Sequence, residues 1–210
     1  MSFFNFSEAS FEGVGKYGFP KILPTKELNV SKWCMFETVR KGSCLEENKD
    51  FGVHFFQDDH KFESVWTKPN KHLERLLSYG CVLAPDFSLY TDFPVALQIM
   101  QTYKRHWVAR YWQEKGIKVI PTINWSTQDS YEWCFDGEPC NSIVAVGNVG
   151  LVKNKKAREL FDRGFEEMKN RLTPSKILFF TYEKEEYFKY KADNVEFIDI
   201  NKFKNLKQKN

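Results

Sequence analysis

Two carboxylates, a hydroxyl and a phenol fall within seven residues of one segment of this chain. The segment, LAPDFSLYTDFP at residues 83–94, contains Asp86, Ser88, Tyr90 and Asp92. It follows a short apolar run and precedes a helical pattern, so it should join a strand to a helix. Carboxylates and hydroxyls gathered at such a junction suit general acid–base chemistry or the binding of a divalent cation.

The members of this segment have different predicted roles. We predict that Asp86 is a catalytic carboxylate, because Asp92 is already placed to cap the following helix and Asp86 has no evident helical task. Ser88 and Tyr90 lie on either side of Leu89 in the same segment and are predicted to bind the ligand.

A second acidic pair, Asp58 and Asp59, follows the preceding predicted strand. We predict Asp58 as a second catalytic carboxylate and Asp59 as a ligand-binding residue, although Asp59 could instead simply begin the next helix. Because the carboxyl ends of parallel strands share one rim, these residues should converge with Asp86. A divalent cation could bind at Asp58 and Asp86, and the cofactor is otherwise unknown.

Trp125 and Arg105 are further candidates that lie outside the acidic segments. Trp125 follows a predicted strand, and its indole could stack on a base or sugar or could fill the mouth of the fold. Arg105 lies on a long predicted helix, on a polar flank with Gln98 and Gln101, so it is expected to face solvent. His54 lies between apolar neighbours and is expected to be a core histidine.

Strand-like and helix-like patterns alternate through most of the chain. The predicted strands are 33–39, 51–56, 79–84, 117–123, 142–146, 176–181 and 195–200, and the predicted helices are 61–66, 70–79, 93–115, 130–134, 155–172 and 184–191. This order predicts an α/β fold with a mostly parallel sheet and crossover helices. We favour an incomplete or distorted TIM-barrel-like form, with an open doubly wound sheet as the alternative. Both forms place ligand sites at the carboxyl ends of their strands.

Composition predicts one globular domain. Of the 210 residues, 42% are hydrophobic and 17% aromatic, which is ample for a packed core. We expect a single α/β domain over residues 1–200, with residues 1–30 as an extension packed on it and 201–210 as a basic flexible tail. The net charge of +3 does not by itself indicate nucleic-acid binding.

Several classes of protein are disfavoured. No apolar run approaches 18 residues, so no membrane span is expected. The five cysteines form no CxxC motif, which argues against a structural zinc site, and a cytoplasmic location with reduced thiols is the simplest expectation. The glycine-rich and catalytic motifs of nucleotide-cofactor oxidoreductases, P-loop enzymes, zinc proteases and α/β-hydrolases are absent from the sequence.

Three strings carry a resemblance to a known family: YGFP, the stretch from FGVHFFQDD to PTINW, and SYEWCFDGEP. They resemble the family called domain of unknown function 4417, whose members occur in phages, plasmids and bacterial genomes, and the likeness covers about residues 16–182. The resemblance implies a phage or mobile-element setting and supplies no reaction. It also marks Asp58, Asp86, Arg105 and Trp125 as structural or functional signatures, which adds Arg105 to the predicted ligand-binding residues.

Two functions remain open at this point. The first is an enzyme, or the remnant of one, that hydrolyses a small polar, phosphorylated or nucleic-acid ligand. It predicts a carboxylate with a perturbed pKa in a concave pocket. The second is a non-catalytic accessory protein that binds a host protein or nucleic acid through exposed aromatics and the basic tail. It predicts that Asp58 and Asp86 are occupied by internal hydrogen bonds.

Overall fold

The computed structural model describes residues 4–41, 48–151, 154–182 and 189–203. An antiparallel hairpin of two short strands, β1 (Gly13–Val14) and β2 (Phe19–Pro20), lies in the N-terminal segment. Within it, Phe19 is fully buried. The division into one domain and a tail stays a prediction, and residues from 204 onward lie outside the described part.

Seven parallel strands form the centre of the fold. The first sheet contains β3 (Lys32–Met35), β4 (Phe51–His54), β5 (Cys81–Leu83) and β6 (Val119–Ile120), and the second contains β7 (Ile143–Gly147), β8 (Lys176–Thr181) and β9 (Val195–Asp199). Within each sheet the strands follow chain order. An isolated parallel bridge between Thr122 and Ala145 joins the continuation of β6 to β7. The predicted α/β class with a parallel sheet is therefore confirmed.

The closure of the sheet differs from a complete barrel. A doubly wound sheet reverses its strand order at one point, and the seven described parallel strands show no such reversal. Their hydrogen bonds also do not close into a ring within the described residues, so the fold is an incomplete, open α/β arrangement. The TIM-barrel-like form is not confirmed.

Five α-helices connect or cover these strands in the described part of the chain. They are α1 (Phe36–Arg40), α2 (Ser64–Thr67), α3 (Leu73–Leu77), α4 (Val95–Glu114) and α5 (Lys155–Leu172). Short 3₁₀ helices occupy Phe4–Ser7, Asn48–Asp50, Asp59–Lys61, Pro69–His72, Gln128–Glu132 and Ile200–Phe203. No helix of the described ranges combines the length and hydropathy needed to cross a bilayer.

Several predicted elements were wrong in part, among them the helices 61–66 and 70–79 and the strand 117–123. The predicted strand 33–39 ends at Met35, and α1 follows, because Phe36 and Val39 are three positions apart and both are buried on one helical face. The helix predicted at 93–115 begins at Val95, with Pro94 at the capping position and no side-chain cap. Asp92 is exposed and is not the N-cap. The predicted helix 184–191 lies mostly outside the described residues.

The two sheets meet in an aromatic cluster around Phe180. Phe180 of β8 is fully buried, and its ring centroid lies 5.0 Å from that of Trp33, 5.4 Å from His54 and 4.8 Å from Phe56. The preceding residue, Phe179, points to the opposite face of β8, as the two-residue period of a strand requires. His54 is the expected core histidine, and burial lowers its pKa to about 3.

Helix α4 is buried on more sides than its sequence predicts. Arg105 is fully buried, and Gln98 and Gln101 are 5% and 8% exposed, so the predicted solvent-facing flank is wrong. Gln101 faces Asp59, and Arg105 faces Asn124 and Glu138. The hairpin covers the neighbouring face of the helix, since the ring of His106 stacks on Phe19 with centroids 5.4 Å apart. A helix enclosed in this way has no polar stripe for the sequence pattern to reveal.

The Phe180 contact gives a stability prediction. Replacing Phe180 with Ala leaves a cavity between the two sheets and should lower the free energy of unfolding by about 3–5 kcal/mol, measured by urea denaturation. Leu97→Ala, at a residue that is 41% exposed, is the control and should change it by less than about 0.5 kcal/mol. Equal effects of the two variants would show that Phe180 does not join the sheets.

Candidate functional site

A cavity of about 380 Å³ lies at the carboxyl ends of β5, β6 and β7, the edge at which parallel sheets place their sites. Four of the predicted site residues border it, namely Asp86, Ser88, Tyr90 and Trp125. Its other polar lining comes from Thr91, Asn124, Ser126 and Asn154, and its apolar walls include Leu89, Ile123, Leu160 and Phe161. The volume falls within the range of small-molecule sites.

Asp86 is the one ionisable acid or base among the described residues that line this cavity, apart from the phenol of Tyr90. Its Oδ1 accepts a hydrogen bond from Asn124 Nδ2 at 3.0 Å, and no described group donates to its Oδ2. Burial raises the pKa of Asp86 to about 6, against the lowering effects of the Arg105 charge and the Asn124 hydrogen bond. The negative charge of Asp59 adds to the rise.

Arg105 lies beneath the cavity and does not border it. Its Nη1 donates to Asn124 Oδ1, and its Nη2 donates to Glu138 Oε1 at 3.2 Å. Both side chains of the Arg105–Glu138 pair are fully buried, and His106 Nε2 lies 3.0 Å from the same Glu138 oxygen. Arg105 therefore orients the amide that holds Asp86, and its predicted contact with a ligand stays untested.

Asp59 supports the wall of the cavity from behind. Its carboxylate accepts hydrogen bonds from Ser88 Oγ at 2.8 Å, from Ser88 N at 3.1 Å and from Gln101 Nε2 at 3.1 Å. These three donors occupy Asp59 and hold the segment after β5 in place. The hydroxyl of Ser88 still borders the cavity, so of this pair Ser88 is better placed to meet a ligand.

Asp58 is not brought to the cavity. Its side chain is 67% exposed and pairs with Lys61, whose Nζ lies 2.7 Å from Oδ2. The hydrogen bond from Lys61 lowers the pKa of Asp58. Within the described ranges, no group of three or more His, Cys, Asp or Glu side chains could hold a metal ion. The structure thus separates the two carboxylates at which a shared cation was expected.

Trp125 forms part of the cavity wall. One part of the indole borders the cavity, while the ring packs on Phe161 and Phe135 with centroids 5.2 Å and 6.3 Å apart. The indole also lies directly over Gly164 of α5, where a Cβ atom would overlap it. Trp125 is therefore a wall fixed by packing, and its stacking on a ligand stays a prediction.

Two further residues matter that the sequence pattern did not single out. Asn124 bridges Asp86 and Arg105, and only its place after β6 pointed to it. Ser126 lies two residues further on, and its backbone N donates to Ser130 Oγ in the following 3₁₀ helix.

A second, larger depression does not share these features. It has a volume of about 600 Å³, is more open to solvent and lies between the N-terminal segment and residues 66–71. Its amides are already engaged, since Asn5 donates to the Trp66 carbonyl at 2.6 Å and Asn70 donates to Glu8 at 2.9 Å. The charged residues that line it, Glu8, Lys68 and Lys71, are exposed, so the cavity at the strand ends is the better candidate site.

A family model described as a domain of unknown function (DUF4417) matches residues 11–201. The chain belongs to this family. The expected resemblance is confirmed, and the match extends past residue 182 to include β9. In this DUF4417 chain, two of the strings that carry the resemblance contain Asp86 and Glu138. These residues are the two ends of a series of hydrogen bonds that runs through Asn124 and Arg105.

Two phage proteins are similar to this DUF4417 chain. The Gene 1 protein of Mycobacterium phage L5 is 37% identical over 171 residues, which cover 80% of this chain and 73% of the relative. The Gene 1 protein of Mycobacterium phage D29 is 35% identical over 176 residues, which cover 80% of this chain and 62% of the relative. The chain thus spans less than two thirds of the second relative. No solved structure matches it.

The buried Arg105–Glu138 pair gives a second stability prediction. Arg105→Leu leaves the Glu138 carboxylate buried without its cation and should cost about 3–5 kcal/mol of unfolding free energy. Arg110→Leu is the control on the same helix, because Arg110 pairs with a half-exposed Glu114 and should cost less than about 1 kcal/mol. The double variant Arg105→Leu/Glu138→Leu should recover part of the loss. Equal costs for the two arginines would contradict this account.

Asp86 gives a pH-dependent prediction. The folded protein holds the proton of Asp86 more tightly than the unfolded chain, so the stability that this carboxyl contributes is full below about pH 4 and is lost as the pH rises through about 6. Asp86→Asn should therefore be more stable than wild type at pH 7, by at most about 3 kcal/mol, and equal to it near pH 4. Chemical denaturation at a series of pH values measures this difference.

Asp58→Asn is the control for that series. Because the pKa of Asp58 is lowered by Lys61, its replacement should make the protein slightly less stable at pH 7, the opposite sign. A loss of stability in Asp86→Asn that is the same at pH 4 and pH 7 would mean that the charged carboxylate is a structural partner of Arg105.

Proposed function

We propose that the cavity at the ends of β5, β6 and β7 binds a small polar ligand and that Asp86 acts on it as a general acid–base in a hydrolytic reaction. One observation carries the proposal. The carboxyl of Asp86 borders the cavity with one oxygen tied to Asn124 and the other without a described donor, and its pKa is raised to about 6. Carboxyls with these properties are typical of catalytic sites.

The chemistry follows from the two oxygens of Asp86. The amide of Asn124 also donates to the Phe87 carbonyl at 2.9 Å, so its position is fixed and it holds Oδ1 in one orientation. The free Oδ2 can then accept a proton from a water molecule or return one to a leaving group. A group whose pKa lies near neutrality exchanges protons in both directions at useful rates.

The walls favour a ligand with both polar and flat apolar parts. The hydroxyl of Ser126 offers a hydrogen bond, and the hydroxyl of Ser88, which donates its proton to Asp59, can still accept one. Trp125 and Leu89 offer apolar surface. Sugars, nucleosides and their derivatives combine these properties. We further propose that the protein acts in the cytoplasm of a phage-infected cell, in keeping with its phage relatives and with four described cysteines that are free thiols.

A second candidate function is supported by a different observation. Tyr90, Val95 and Leu97 are 57%, 57% and 41% exposed. Tyr90 borders the cavity, and the other two lie in the first turn of α4. Exposed aromatic and aliphatic side chains are typical of protein-binding surfaces. In this reading the protein is a non-catalytic accessory factor that docks on a host protein, and a ligand in the cavity is not required.

A thermal-shift screen of sugars, nucleosides and nucleotides tests the first proposal. A ligand present at about a hundred times its dissociation constant should stabilise the wild type by about 2.7 kcal/mol, a shift of several degrees. Asp86→Asn should lose this shift, and Asp58→Asn, whose carboxylate lies outside the cavity, should keep it. If both variants keep it, Asp86 does not contact the ligand. If no compound raises the melting temperature of the wild type, the docking function is tested next. Host proteins pulled down by the wild type are compared with those pulled down by Tyr90→Ser.

A further inference from the structure

We propose that the ligand of this cavity is phosphorylated and that its phosphate binds between Ser126 and the N-terminal turn of α5. The inference rests on the proposed function, because it names the ligand class of the same cavity. It depends on two independent observations, the unusual charge at the start of α5 and the unused hydroxyl of Ser126.

The N-terminal turn of α5 borders the cavity through Asn154 and Ala157. The Asn154 side chain caps the helix by accepting from Ala157 N at 3.1 Å, which leaves the first amides of this 18-residue helix without an acceptor in the described structure. A helix usually carries acids in its first turn, where they offset the positive end of the helix dipole. This one carries none and begins with Lys155 and Lys156. An anion bound at this end would supply the missing negative charge.

Ser126 provides the second observation. The residue is 3% exposed and borders the cavity, and its Oγ has no hydrogen-bond partner among the residues that the structure describes. Buried hydroxyls are nearly always hydrogen-bonded, because an unpaired one costs about 1–3 kcal/mol. Its backbone amide donates to Ser130 Oγ at 3.0 Å, which fixes the backbone of this residue at the cavity wall. A phosphate oxygen is an acceptor that this hydroxyl can bind.

The position of the subsite fits a ligand with two ends. Asp86 follows β5, Ser126 follows β6 and α5 follows β7, so Asp86 and the helix end belong to strands two positions apart. That separation is on the order of 10 Å, given about 4.8 Å between neighbouring strands. A phosphate at α5 would therefore place the sugar of a sugar phosphate or nucleotide toward Asp86, and it would keep the two negative groups apart.

Inorganic phosphate is the probe for this subsite. Binding to the full chain is measured by phosphorus NMR titration at constant ionic strength. Ser126→Ala removes a hydroxyl that has no hydrogen-bond partner in the described part of the chain, so the variant should fold normally. It should bind phosphate about tenfold more weakly or worse, which is the effect of losing one hydrogen bond to a charged group. Lys155→Glu should also weaken binding, although an acid at this position favours the helix itself.

Lys118→Glu is the matched charge control. Lys118 is exposed and precedes β6, at the opposite end of the strand from the cavity, so its replacement should leave phosphate binding unchanged within about twofold. Weakening by Ser126→Ala and by Lys155→Glu, with Lys118→Glu unchanged, supports the subsite. Absence of saturable binding to the wild type, or an effect of Lys155→Glu without one of Ser126→Ala, overturns it.

Asp86→Asn separates this inference from the proposed function. The variant should bind inorganic phosphate as well as the wild type or better, because one negative charge is removed from the cavity. If phosphate binds as expected but Asp86→Asn keeps the thermal shift given by every ligand, only the proposed role of Asp86 is refuted. A lost ligand shift in Asp86→Asn without any phosphate binding would refute the subsite alone.

Discussion

The buried guanidinium of Arg105 is the interaction on which the remaining polar structure depends. A charge with no exposed surface is tolerated only when its hydrogen bonds and its counter-charge are supplied together. Here Asn124 supplies an acceptor from the segment after β6, and Glu138 supplies the carboxylate from a turn far along the chain. His106, the next residue of α4, contacts both Glu138 and the Pro20 carbonyl of the hairpin, at 3.0 Å and 2.9 Å. Four separate segments are therefore fixed around one cation.

This arrangement sets the electrostatics of the cavity from below. Asp86 is surrounded largely by protein, which favours its neutral form, while Arg105 favours its charged form through space and through Asn124. The balance leaves the carboxyl able to change charge near neutrality instead of being locked in either state. Asp59 lies on the other side, and its carboxylate already accepts hydrogen bonds from three donors. Its negative charge raises the pKa of Asp86. Asp86 and Asp59 thus have different roles because different groups donate hydrogen bonds to them.

The sequence predicted the elements whose pattern is strong and missed those whose burial depends on distant segments. Helix α5 and strand β8 have the predicted bounds, because one has a single apolar face and the other is a continuous apolar run between polar residues. Arg105 was expected in solvent because nothing local reveals that Asn124 and Glu138, from later segments, enclose its guanidinium. Asp58 and Asp59 are adjacent and share a composition, so their pattern could not show that one pairs with Lys61 while the other holds Ser88. The environment of Ser126 depends on how Ser130 turns toward it, which no local pattern shows.

The contact between Trp125 and Gly164 separates the shape of the cavity from its chemistry. The indole rests on bare backbone of α5, so the first carbon atom added at position 164 would push the ring toward or away from the cavity. Position 164 lies in the middle of an outer helix and forms no hydrogen bond with Asp86, Asn124 or Ser126. A change at this one small residue would therefore alter the width of the cavity, while Asp86, Asn124 and Ser126 keep their geometry.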